Sequence, residues 1–181
     1  MKVGTVEPEP PIELVAYDPT WPAKFAGERE ILALALGRWL VGPIEHIGST
    51  AVPGLAAKPI VDIMAPVATL SDSRPAIEAA AGLGYIFYPY KPDVMHWFCK
   101  PSRHLRTHHL HMVPLGSELW KARIAFRDAL RSDALLLAEY QSLKLQLVER
   151  FSRDRDAYTE AKGPFIQRVL HEASKRGPGA T

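Results

Sequence analysis

Two rhythms of apolar and polar positions alternate along this chain. Ile44 to Ile47 and Ile60 to Ala65 are short apolar runs that read as buried strands. The loop between them holds Gly48, Ser49, Thr50, Pro53, Gly54, Lys58 and Pro59, small or turn-forming residues for the most part. Upstream, Ile12 to Val15 reads as an edge strand. Asp18-Pro19-Thr20-Trp21-Pro22 reads as a turn into a helix, with Thr20 as N-cap and Pro22 in the first turn. Phe25, Ile31, Leu32, Leu34, Leu36 and Leu40 give that helix a broad apolar face to about Leu40, weakened slightly by Gly37.

Downstream, Ser71-Asp72-Ser73-Arg74-Pro75 signals a helix start, and the alanine-rich run after it is stopped by Gly84. Tyr85 to Tyr90 and Val94 to Lys100 read as aromatic strands around the turn Lys91-Pro92-Asp93, and Leu105 to Val113 as another strand. From Ser117 the period changes to helical. Ser117 caps a helix to about Arg131, a second starts at Asp133, and Pro164 opens a last one that ends near Ser174. The order αββαβββ followed by helices predicts an α+β fold, a mixed β-sheet flanked by helices with a helical C-terminal third.

Composition narrows the picture. With 47% hydrophobic and 23% charged residues in 181, the chain reads as one globular domain over residues 12–175, between a leader at 1–11 and a frayed tail at 176–181. A net charge of +2 gives no sign of a general polyanion binder and argues against nucleic acid, so any basic patch is local. The single cysteine, Cys99, cannot form an internal disulfide and reads as a half-buried strand residue. The N-terminus has acidic residues and prolines where a signal peptide has an apolar core, and Ile31 to Val41 is too short to span a bilayer. The expectation is a cytoplasmic protein with no membrane partner.

Candidate chemistry starts at Asp62. An ionised carboxylate among Ile60, Val61, Ile63 and Met64 is strongly destabilising unless a cation meets it. The partner is either a basic side chain, Lys58 or Arg106, or a metal. At Gly48-Ser49 a glycine ending a strand lets backbone amides cradle an anion, and Ser49 and Thr50 add hydroxyls; a tight turn chosen for compactness gives the same letters. His109 and His111 fall on one face of their strand, so a site of two histidines and one carboxylate is reachable if that strand neighbours Asp62. The alternative is two polar residues on a wet face. His46 lies close enough to Gly48 to face the same place, whereas His104 and His108 read as ordinary loop and strand residues. Arg106, opening the histidine strand, suits a phosphate clamp.

The string H-I-G-S-T-A-V-P-G-L-A-A-K-P-I-V-D-I from His46 to Ile63 resembles the signature of the GrpB-like family (UPF0157), placed in the nucleotidyltransferase superfamily. Tyr17-Asp18-Pro19-x-Trp21, His109-x-His111, Tyr140-x-x-x-Lys144 and Tyr158-x-x-x-Lys162 extend the likeness over roughly Ile12 to Ala173. The resemblance implies a nucleotidyltransferase-like fold and a bound nucleoside triphosphate with a divalent metal. It also implies nucleotidyl transfer to an unknown hydroxyl acceptor. Asp62 and Lys58 would be catalytic. Gly48, Ser49, Thr50, Lys58, Arg106, Tyr140, Lys144, Tyr158 and Lys162 would bind the nucleotide, and Asp62, His109 and His111 the metal. The ion would be Mg²⁺ or Mn²⁺, or Zn²⁺ if both histidines coordinate. Met64 departs from the superfamily pattern, which has a second carboxylate two residues after the first; a thioether is a poor ligand for Mg²⁺. The rival expectation is therefore a non-catalytic module. The family's fusions to dephospho-CoA kinase point the same way, to a folding-assistance role through a protein partner. In amphipathic helices the Tyr/Lys pairs also arise as solvated faces.

Overall fold

A computed structural model describes residues 10–176. Most of the expected leader and tail lie outside the described residues. The elements are α1 (Trp21–Leu36), β1 (Glu45–Ile47), β2 (Val61–Val67), α2 (Ala76–Ala81), β3 (Ile86–Tyr88) and β4 (His96–Pro101). After them come β5 (Arg106–Pro114), α3 (Glu118–Ser132), α4 (Ala134–Arg150), α5 (Arg155–Glu160) and α6 (Gly163–Arg176). The expected α+β order holds, with a helical C-terminal third.

The five strands form one mixed sheet in the order β1-β2-β5-β4-β3. β2 and β5 are parallel, in register Asp62 with His109 and Met64 with His111. β1 runs antiparallel to β2, and β4 antiparallel to β5. Because side chains alternate along a strand, β2 sends Val61, Ile63, Ala65 and Val67 to one face and Asp62 and Met64 to the other. The first face carries the main core, where Trp21, Leu32 and Leu36 of α1 and Ala76 and Ala80 of α2 meet Phe98, Leu110 and Met112 of the sheet. On the second face Ile47, Met64, Met95 and Val113 pack beneath Leu119, Trp120 and Ile124 of α3.

Local chemistry explains where elements start. Ser117 accepts a hydrogen bond from the Trp120 amide at the start of α3, and Asp133 accepts from the amides of Leu135 and Leu136 at the start of α4. At α1 the expected cap differs. Thr20 makes no capping bond with its side chain; Asp18 accepts instead from the Thr20 amide and hydroxyl and pairs with Lys24 at 3.0 Å. α1 stops at Leu36 rather than Leu40, giving way at Gly37–Trp39 to a 3₁₀ turn. Ile12–Val15 forms only an isolated bridge, Val15 to Ala57.

The segment after β1 is held by the C-terminal helices. Val52 and Leu55, both fully buried, pack against Leu130, Tyr140, Phe165 and Val169. Each such side chain contributes about 1.5–3 kcal/mol on burial. Arg131 Nε donates to the Ala51 carbonyl at 2.9 Å, and Gln141 Oε1 accepts from the Ala56 amide at 3.0 Å. The helical third thus fixes the Gly48–Lys58 segment against the sheet.

Candidate functional site: an aspartate and two histidines in a cationic cleft

The pairing of β2 with β5 decides the site. Asp62 and His109 are register partners and His111 lies one repeat further on, so all three side chains leave the same face. Asp62 Oδ1 is 2.9 Å from His109 Nδ1 and 3.5 Å from His111 Nε2. The second nitrogen of each ring, His109 Nε2 and His111 Nδ1, is buried with no hydrogen-bond partner among the described residues. Burial pushes His111 down to about 3, helped by the charge of Arg123, and it is a neutral imidazole at pH 7. Burial works against the Asp62 charge, but the hydrogen bonds from His109 and His111 outweigh it. The carboxyl is held well below the usual range and is ionised.

These residues fit a divalent ion. One ligand atom from each of Asp62, His109 and His111 lies within 4.8 Å of the others. A tetrahedral ion with bonds of about 2.0–2.1 Å sets its ligand atoms roughly 3.3 Å apart. The observed 2.9 and 3.5 Å bracket that spacing. Two imidazoles and one carboxylate are a borderline donor set, suited to Zn²⁺, Mn²⁺ or Fe²⁺ over Mg²⁺. Met64 is fully buried in the apolar layer under α3 and belongs to the packing.

Gly48 touches the same carboxylate. Its φ is +72° and its ψ −173°, a conformation nearly confined to glycine. Ser49 follows in a 3₁₀ turn through Ala51. Lys144 Nζ donates to Ser49 Oγ at 3.2 Å and to the Ala56 carbonyl, so this lysine ties α4 to both ends of the turn. Burial lowers Lys144 to about 7 and Lys162 to about 8, and in both the charge of Lys58 adds to the effect. Lys58 and Lys162 sit over the Tyr158 ring at 5.3 and 4.4 Å, and Lys144 lies 5.2 Å from the Tyr140 ring. The two expected Tyr/Lys pairs therefore meet beside Ser49, although Lys162 lies beyond the end of α5.

A cleft of about 1240 Å³ opens over these residues. Ten lysines and arginines line it against three aspartates, a concentration the overall charge of +2 conceals. Arg106 also lines it, with its guanidinium 5.6 Å from the Trp97 ring and its Nε donating to the Arg103 carbonyl at 2.8 Å.

The expected Thr50 hydroxyl and His46 imidazole bond to each other. His46 pairs in register with Ile63, not with Asp62, so it lies on the opposite face, stacked on Phe25 at 4.6 Å. Its Nε2 is 3.0 Å from the Thr50 hydroxyl, which also donates to the Ile60 carbonyl at 3.3 Å. The Thr50 hydroxyl is therefore engaged in holding the turn. Asp62, for its part, is held by the two histidines.

Sequence reasoning missed Arg123 and the aromatic wall. Arg123 of α3 faces Asp62 and Tyr90; burial lowers its pKa, and no hydrogen bond to its guanidinium is found among the described residues. Trp97 of β4 stands 5.1 Å from the His109 ring, with Tyr88 at 5.7 Å and Tyr90 at 6.1 Å from Trp97. The alternation of β4 was the available signal for Trp97, since it falls opposite His111.

Residues 11–172 match the family described as GrpB protein. A UPF0157 protein of Pseudomonas aeruginosa is 41% identical over 169 residues, covering 90% of this chain and 67% of the relative. The glutamate-rich protein GrpB of Alkalihalophilus pseudofirmus is 33% identical over 164 residues, covering 88% and 94%. A dephospho-CoA kinase of Mycolicibacterium paratuberculosis is 28% identical over 188 residues, covering 90% of this chain but 46% of that protein. The crystal structure of conserved protein GrpB from Enterococcus faecalis superposes with a TM-score of 0.81 at 30% identity, over 91% of this chain and 98% of that one. The chain belongs to the GrpB family.

Proposed function

We propose that the cleft binds a nucleoside triphosphate together with a divalent cation, and that the protein transfers a nucleotidyl group to a hydroxyl acceptor. The observation that carries this reading is the convergence of Asp62, His109 and His111 beside the Gly48–Ser49 turn, in a cleft lined by basic side chains. Asp62, His109 and His111 would hold the ion, which when bound supplies charge neutralisation to the phosphates and lowers the pKa of a bound hydroxyl.

This chain's own groups do the rest. The amides of the Gly48–Ser49 turn, Lys58 and Lys162 take the phosphate oxygens, and Lys144 keeps the turn in place through Ser49 and Ala56. Tyr140 and Tyr158 flank the lysines and keep water out. In the transfer, the acceptor oxygen bonds to the α-phosphorus and the α-phosphorus bond to the bridging oxygen breaks. Pyrophosphate leaves, and the hydroxyl proton passes to solvent water in the cleft. Calorimetric titration with ATP, GTP, CTP and UTP, each with Mn²⁺ or Mg²⁺, tests binding, and pyrophosphate release tests turnover. Binding lost in Asp62→Ala supports the reading; no binding by the wild type, or equal binding by that variant, overturns it.

One comparison favours a second reading, a binding module that works through a protein partner. The similar segment of the dephospho-CoA kinase is under half of that protein, so the same fold accompanies another domain there. The replacement of the expected second carboxylate by Met64 points the same way. A stoichiometric partner recovered with the protein, with no pyrophosphate released from any nucleotide, decides for it.

A further inference from the structure

The cleft has two cationic ends with the Asp62 cluster between them. One end is the lysine and tyrosine group beside Ser49. The other is a wall of Tyr88, Tyr90 and Trp97, over which Arg103, Lys91 and Arg106 lie at 5.9, 5.5 and 5.6 Å from the respective ring centres. Arg123 joins the second end to Asp62, close enough to Tyr90 and Asp62 to feel both. It is a half-buried cation on the cleft wall with no hydrogen bond from the described residues, which leaves its guanidinium available to an anionic ligand. At about 1240 Å³ the cleft also exceeds the roughly 300–1000 Å³ of a pocket for one small ligand.

We propose that the aromatic and arginine end is the acceptor site, and that the acceptor is itself an anion: a small phosphorylated hydroxyl compound with a flat ring or sugar face. This rests on the reading of the lysine end as the triphosphate site. The face of the acceptor lies on Trp97 between Tyr88 and Tyr90, and its phosphate meets Arg106 and Arg123. Planar guanidinium groups suit phosphate because two N–H groups reach two oxygens at once. The same charge excludes polycationic acceptors, since ten basic side chains against three aspartates repel them.

The test uses the full-length protein with Mn²⁺, titrated with 5′-AMP, adenosine and kanamycin, before and after saturation with non-hydrolysable ATP. AMP binds in both conditions, adenosine at least tenfold more weakly, and kanamycin not at all. Arg106→Gln weakens AMP about tenfold and ATP less than twofold, and Lys162→Met does the reverse. Arg123→Gln serves as the second variant should Arg106→Gln lower the thermal midpoint, because Arg106 also holds the Arg103 carbonyl. ATP binding without AMP binding on top of it, kanamycin binding, or equal losses for both ligands in either variant overturns the acceptor site and leaves the triphosphate reading intact. AMP binding that depends on Arg106, with no ATP binding, sinks the triphosphate reading and keeps an anion site at this end.

Discussion

A Cβ atom placed on Gly48 would stand 2.5 Å from Asp62 Oδ2 and 3.0 Å from Asp62 Cβ and Cγ. The turn and the carboxylate are fitted to one another, and the glycine is required twice: by this approach and by its φ of +72°. Gly48→Ala is therefore expected to cost about 1–3 kcal/mol from the backbone alone, and to move Asp62 away from the histidines. Urea denaturation with a parallel metal titration checks it. A variant as stable as the wild type that binds metal equally well contradicts the fit.

Lys144 gives a pH dependence with a definite sign. Its side chain is 2% exposed, and burial, with the charges of Lys162 and Lys58, pulls it from the ordinary 10.5 to about 7. Between about pH 7 and 10.5 the unfolded chain then binds more protons than the folded one, so stability rises with pH in that window. Lys162, lowered to about 8, adds the same sign above that pH. Below about 7 both states are protonated and the gain is absent. The urea midpoint should climb from pH 7 to 9.5, and less steeply in Lys144→Met; a wild-type midpoint that is flat or falling there contradicts the burial of these ammonium groups.

Anion binding carries the opposite sign. A phosphate favours the charged forms of Lys144 and Lys162, so affinity for inorganic triphosphate should fall as pH rises from 7 to 9. Near pH 8 binding should take up protons, seen as a calorimetric enthalpy that changes with the ionisation enthalpy of the buffer. Affinity constant over that range, with no proton uptake, places the anion elsewhere.

Thr50 serves as the contrast. Its hydroxyl joins His46 to the Ile60 carbonyl, and burial, only partly offset by the Asp62 charge, lowers His46 to about 4, leaving that ring neutral. Thr50→Val strips a buried imidazole nitrogen of its partner and is expected to cost about 1–3 kcal/mol. Nucleotide affinity should change less than twofold. A large affinity loss without a stability loss would give the hydroxyl a direct role in the ligand site.

How much of this the sequence carried differs residue by residue. Strand alternation put His109 and His111 on one face, and the lone carboxylate among aliphatic residues marked Asp62. Their meeting needed the parallel pairing of β2 and β5, which joins strands far apart in the chain. His46 shows the opposite case. Proximity to Gly48 suggested the site, but one residue of register separates it from the face Asp62 uses, and the pleat sends it to Phe25. Arg123 was illegible because an arginine on an amphipathic helix reads as a solvated position until α3 is seated over the sheet. Tyr158 and Lys162 met as their spacing suggested, yet through the turn after α5 rather than along one helix.

The claim on which the site depends is that Asp62, His109 and His111 hold one divalent ion. Titration of the metal-stripped protein with Mn²⁺ and Zn²⁺, read by calorimetry and by metal content after gel filtration, tests it most directly. One ion per chain is expected, with affinity reduced at least a hundredfold in Asp62→Asn, His109→Ala and His111→Ala. No ion retained by the folded wild type, or an ion retained equally by all three variants, would contradict it.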